Sequence, residues 1–214
     1  MKKYLLVVLF LLNTNILIFG QSSYLRLIEN GKYTKAEKKI NKAILKEPNG
    51  VELNYTMAVL LIRRKYKGYS TSKSYEYLIT SKKLYANTIA EKEIKSLNKI
   101  PINTIIFRNY TDTICKYALD DAILQNTVEV YEKYLAFYKA TPYDYKNIAI
   151  EKRDIAAYKI ASTTNTVESF QYFISKYPSA NQLAEATSKR NSLAFGIAST
   201  TNTVESFQYF ISKY

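Results

Sequence analysis

Histidine and tryptophan are absent from the 214 residues, cysteine occurs once, glycine five times and proline four times. Each shortage excludes something. Without His, the commonest general base and a leading metal ligand are missing. The lone Cys115 rules out an intrachain disulfide, a cysteine zinc site and a Cys–His pair. The glycines fall in neither G-x-G-x-x-G nor G-x-x-x-x-G-K spacing, so no phosphate-cradling loop is expected. Asp120 and Asp121 are adjacent, and adjacent helical residues do not face each other. The remaining acids give no pointer to a catalytic pair. No enzyme activity, cofactor or metal is therefore expected, and Cys115 reads as a buried, inert residue among Ile114, Tyr117 and Ala118.

The scarcity of Gly and Pro also limits the fold. A sandwich or barrel of short strands needs a turn signal every 8–12 residues or so. This chain is 47% hydrophobic, enough for a sizeable core, and its few turn formers suit long helices joined by short connections. Arg is scarce too, at 6 of the 31 basic residues. The formal charge of +13 comes from Lys spread along the chain among Glu and Asp. Dispersed Lys reads as solvated helix faces. It allows weak contact with polyanions, while specific nucleic-acid recognition would call for the bidentate Arg the chain lacks.

At the start, Lys2 and Lys3 precede an apolar run from Tyr4 to Leu12, broken by Asn13 and Asn15 and resumed from Ile16 to Gly20. This is the pattern of a signal peptide over residues 1–20, cut after Gly20, although Ile18 stands where a small residue is preferred. The competing reading is an uncleaved membrane anchor. Gln21 stands where a lipoprotein signal would place its Cys, so the chain is expected to be exported, periplasmic or secreted, without a lipid anchor.

From Asn103 a helix is expected to about Leu124, after breaks at Pro101 and before it a helix over Asn87–Leu97 capped by Asn87 or Thr88 with Glu91. Beyond lies a repeat. Ile160–Tyr177 and Ile197–Tyr214 are identical over 18 residues, 37 apart, and an older copy precedes them. Ala118, Ala122, Asn126, Thr127, Val128, Glu129 and Tyr131 match Ala157, Ala161, Asn165, Thr166, Val167, Glu168 and Phe170, then Ala194, Ala198, Asn202, Thr203, Val204, Glu205 and Phe207. Alanines four apart permit close helix packing. Asn165 reads as an N-cap answered by Glu168, and Asn202 by Glu205. Val167, Phe170, Ile174 and Tyr177 draw one apolar stripe ended by Pro178, and a return helix follows from Leu183 to Ser199. The period is that of a two-helix solenoid unit. The 21 tyrosines fall largely on such stripes and read as core with hydroxyls at the edge, rather than as stacking platforms.

Earlier in the chain, Gly31, Tyr33, Ala36, Ile40, Ala43 and Pro48 carry the spacing that resembles the second half of a tetratricopeptide repeat. Gly31 would reverse the chain, Ala36 and Ala43 would let two helices approach, Ile40 would fill the groove, and Pro48 would end the helix. A second pair, Val51–Tyr66 with Ala58, and Ser74–Tyr85 with Tyr75, Leu78 and Leu84, extends the resemblance to residues 22–85, with a longer turn than the family standard. The later units, with Asn165, Thr166, Phe170, Phe173, Tyr177, Pro178 and Ala180, are similar to helical repeats of bacterial envelope proteins with tetratricopeptide-like arrays. The resemblance implies an all-α, right-handed α-solenoid, with repeats over 21–100 and a second array over 101–214. It also implies a peptide-binding groove lined by the first helix of each pair. Glu52, Tyr55, Thr56 and Val59 occupy that stretch and do not resemble the family's carboxylate clamp. The partner implied is an unidentified protein, and the role that of a non-enzymatic scaffold. Since the last unit stops without its Pro and return helix, the alternative is an accessory array of a longer envelope protein whose further domain is catalytic or binds the cell wall.

Overall fold

The structure, a computed structural model, describes residues 22–88, 95, 97 and 102–214. The expected signal segment lies outside the described residues, as do Glu91, Pro101 and most of the expected Asn87–Leu97 helix. Ten helices and no strand occur among the described residues: α1 Ser23–Glu29, α2 Tyr33–Ile44, α3 Val51–Leu61, α4 Thr71–Ala86, α5 Thr104–Gln125, α6 Val128–Phe137, α7 Tyr143–Thr164, α8 Val167–Lys176, α9 Leu183–Thr201 and α10 Val204–Lys213. The described chain is all-α. It divides into two compact units at Tyr110–Thr111, within α5.

In the first unit, α1 turns into α2 through Gly31, whose φ of 68° is the left-handed conformation glycine adopts at no steric cost. Gly31 N–H donates to Ile28 O at 3.0 Å and Lys32 N–H to Leu27 O at 2.9 Å. This pair of bonds is a Schellman motif, and it satisfies carbonyls the helix end leaves open. Ala36 and Ile40 are fully buried. α3 is apolar on nearly every side: all its residues except Glu52 are buried, as expected of a helix enclosed by others. Its buried polar groups are bonded locally. Asn54 Nδ2 donates to Pro48 O and Gly50 O, and Thr56 Oγ1 to Leu53 O. α4 lies against it through two serines, Ser74 donating to Ala58 O and Ser81 to Val51 O, both at 2.7 Å. Small residues on both sides let the backbones come this close.

Two helix ends differ from those read from sequence. α2 stops at Ile44, well before Pro48, because Lys46 and Glu47 both donate to Ala43 O and close the last turn. Pro48 is therefore not the terminator; its carbonyl instead holds Asn54. α3 stops at Leu61 rather than Tyr66. Tyr66 turns back into the unit, 4% exposed and 6.1 Å from the Tyr33 ring. Its ring passes so close to Gly68 that a Cβ there would sit 2.6 Å from it. Ser70 then caps α4 by accepting from Lys73 N–H, so α4 starts at Thr71, earlier than Ser74.

In the second unit, each helix from α6 onward packs on the next. A core cluster joins three of them: Ala157 and Ala161 of α7, Phe170 and Phe173 of α8, and Ala186 of α9, with Tyr177 and Ala180 from the connection. Phe170 and Phe173 are 0% and 1% exposed, and burying each stabilises by about 1.5–3 kcal/mol.

Candidate interaction surface

The repeated junction is built by three residue types. Asn126, Asn165 and Asn202 have φ of 49°, 51° and 51°, the non-glycine residues with positive φ among those described. Asn tolerates this region better than other side chains. Each donates its N–H to the alanine four back: Ala122, Ala161 or Ala198, at 2.8–2.9 Å. Thr127, Thr166 and Thr203 follow in extended conformation and cap the next helix, accepting from the N–H three residues on. In the two younger copies a serine closes the box. Ser169 Oγ accepts from Thr166 N–H at 3.1 Å and donates to Ala161 O at 3.0 Å; Ser206 does the same with Thr203 and Ala198. The older copy has Val130 at that place, and Tyr131 OH donates to Asn126 Oδ1 instead.

These contacts correct the expected caps. Asn165 and Asn202 are not N-caps: they end the preceding helix in the left-handed conformation, which leaves the cap to the threonine one residue later. Glu168 and Glu205 do not close the box, since the third helical position now belongs to serine. They remain in the first turn, where a carboxylate favours the positive end of the helix dipole.

Of the other residues read as repeat packing, Ala36, Ile40, Ala161, Phe170, Tyr177 and Ala198 are buried. Tyr33, Ala43, Ile174 and Phe207 are half-buried, while Gly31 and Pro48 are exposed. The groove expected along α3 is not a surface, because Tyr55, Thr56 and Val59 are 5%, 0% and 1% exposed. They are interior because α3 is covered on several sides by α1, α2 and α4.

Part of what reaches solvent in the second unit repeats with the same period. Ile160 and Ile197 are 60% and 61% exposed; Tyr172 and Tyr209 are 62% and 57% exposed. Cations stack on the tyrosines in matched pairs. Arg153 lies 4.9 Å over Tyr177 and Arg190 lies 5.0 Å over Tyr214. Each guanidinium is gripped by the next side chain, Arg153 by the buried Asp154 and Arg190 by Asn191. Lys176 lies over Tyr172 and Tyr177, and Lys213 over Tyr209 and Tyr214. Bonding to Tyr172, then to Glu132, holds the Lys176 ammonium above the usual lysine range.

Cys115 is fully buried beneath Tyr134, whose OH donates to Cys115 O at 3.2 Å, and burial pushes its thiol up to about 11. Among the described residues no three His, Cys, Asp or Glu side chains group so as to hold a metal. A recess of about 210 Å³ lined by Leu135, Tyr138, Lys139, Thr141 and Lys146 is smaller than a usual small-molecule site. No described helix is long and apolar enough to cross a membrane. Set against family models, curated proteins and solved structures, the chain matches none of them.

Proposed function

We propose that this chain is an exported, non-enzymatic scaffold of the bacterial envelope: a right-handed α-solenoid of tetratricopeptide-like helix pairs that holds another protein on its surface. The observation that carries this reading is the copying of an 18-residue segment at 37 residues, with its apolar stripe, its cap and the exposed Ile and Tyr positions together. Selection for a reaction centre concentrates unusual groups at one place, whereas a scaffold gains contact area by repeating the same surface. The paired Ile160/Ile197 and Tyr172/Tyr209 positions supply such a surface, with tyrosine rings well suited to interface contacts. Export is supported by the Lys2–Lys3 start and the apolar run to Gly20.

Photo-crosslinkers placed at Tyr172 and Tyr209 in the full chain, expressed in its own cell type, test the reading. The expected result is one shared protein adduct from both positions in the exported fraction, resistant to raised salt. Adducts from neither position, or retention of the chain in the cytoplasm, would overturn it.

A further inference from the structure

Lysine is spread along the chain, but the acids that offset it are not. Residues 1–110 hold 20 Lys and Arg against 7 Asp and Glu, while residues 111–214 hold 11 against 11, so the whole excess of +13 falls in the first unit. Within that unit a dense group gathers at one end of the helices. The α1–α2 turn and the α3–α4 turn lie side by side there, joined by the Tyr33 and Tyr66 rings at 6.1 Å. The first contributes Lys32 and Lys35, both exposed. The second reads Arg63, Arg64, Lys65, Tyr66, Lys67, four cations in five residues, and Lys73 follows in the first turn of α4. The acids at this end are Glu29 and Glu37, with Glu76 further along α4. Glu37 already accepts from the Tyr66 hydroxyl.

The backbone of the second turn closes without help from its basic side chains. Arg63 N–H donates to Leu60 O, Tyr66 N–H to Arg63 O, Tyr69 N–H to Tyr66 O and Ser70 N–H to Leu61 O, at 2.8–3.1 Å. The buried Tyr66 pins the middle. Arg64, Lys65 and Lys67 are exposed, with the Arg64 guanidinium 5.6 Å over the half-buried Tyr69 ring. The helix ends add to the field. α6 to α10 each carry an acid in the first turn, whereas α2 and α4, which begin at this end, carry none. Two positive helix ends therefore stand beside the cations, and charges of one sign held this close repel until an anionic partner arrives.

We propose that this end of the first unit is a docking surface for an anionic phospholipid bilayer, held through lipid phosphates. The cations stand on two neighbouring turns at the end of the helices, so a broad plane of phosphate meets them together, where a small ion would touch one or two. Arginine supplies a bidentate grip on phosphate, and Tyr69 brings a ring suited to headgroup depth. No large apolar side chain is exposed between Arg63 and Lys73, so the contact is peripheral, drawn by charge and weakened by salt.

The test floats the exported chain with vesicles of phosphatidylcholine alone, or with roughly one third phosphatidylglycerol. Two charge-matched triple variants are compared. Lys65→Gln, Lys67→Gln and Lys73→Gln empty the proposed surface; Lys46→Gln, Lys82→Gln and Lys83→Gln remove the same charge near the opposite ends of α2 and α4. All six lysines are exposed, and Gln serves a helix about as well as Lys, so both variants keep the parent circular dichroism. Binding is expected only with phosphatidylglycerol, weakened about tenfold or more by the first triple and within about twofold of the parent for the second. Equal losses from the two triples, or no preference for the anionic vesicles, overturn the proposal. Dependence on the first triple with soluble dextran sulfate but not with vesicles assigns the surface to a free polyanion and overturns it too. The proposal goes beyond the scaffold reading and fails separately from it, because the crosslinking positions Tyr172 and Tyr209 belong to the other unit.

Discussion

Asn165 illustrates how much a single backbone angle decides in this protein. Its φ of 51° would cost an ordinary L-residue about 1 kcal/mol, and glycine nothing. Asn165→Ala is accordingly expected to lower stability by about 1 kcal/mol in urea unfolding, while Asn165→Gly stays within about 0.5 kcal/mol of the parent. The reverse order would mean that the side chain, and not the angle, holds the junction. Cys115 gives a pH-dependent counterpart. Its thiol has an ordinary value of 9.0 and is raised by burial to about 11 in the fold. A raised value means the folded state keeps its proton longer than the unfolded chain. The contribution is complete below pH 9 and drains away as pH rises towards 11. Tyr134, also raised by burial, acts in the same direction. The urea midpoint should be flat at neutral pH and fall on the alkaline side, with a smaller fall in Cys115→Ala. The burial of Cys115 was legible from its apolar neighbours and the absence of a partner base. The left-handed Asn was not, since Asn serves equally well as an N-cap, and only the two helices meeting around it assign the role.

At the scale of the element, α8 and α10 form a natural controlled comparison. Propensity, capping box and stripe are the same in both, so any difference in stability is packing. Phe170→Ala empties a closed core and should cost about 3–5 kcal/mol. Phe207→Ala acts on a half-buried ring and should cost roughly 1–2 kcal/mol. Equal losses from the two, measured by urea unfolding, would contradict the burial difference. Hydrogen exchange should likewise be faster in α10 than in α8. The helices themselves were readable, because Val167, Phe170 and Tyr177 repeat with helical spacing. Their ends were less so: Pro48 looked like a stop, yet α2 closes earlier on the Ala43 carbonyl. The enclosure of α3 was not legible at all. A sequence such as VELNYTMAVLL shows an apolar helix without showing on how many sides it is enclosed, and the bonds that satisfy Asn54 appear only once Pro48 and Gly50 are in place.

For the whole molecule, charge sets the expectations that apply to no one site. The lysines are dispersed, and the recorded ion pairs include exposed neighbours one turn apart, such as Lys133–Glu129 and Lys189–Glu185, which contribute little to stability. Dispersed lysine attracts polyanions without orienting them. Binding to an anionic polysaccharide should therefore fall steeply between about 50 and 200 mM salt, while the protein crosslinks persist; polyanion binding insensitive to salt would point to a built anion site instead. The sequence alone determined the all-helical character, the copied unit and its apolar stripe, because these depend on residues close together along the chain. Tertiary structure decided that the repeated asparagines end a helix rather than begin one, that α3 is interior, and that the valine of one copy is buried while its twin is bare. Those outcomes depend on what comes to rest against each face, and identical local sequence carries no information about its neighbours in space.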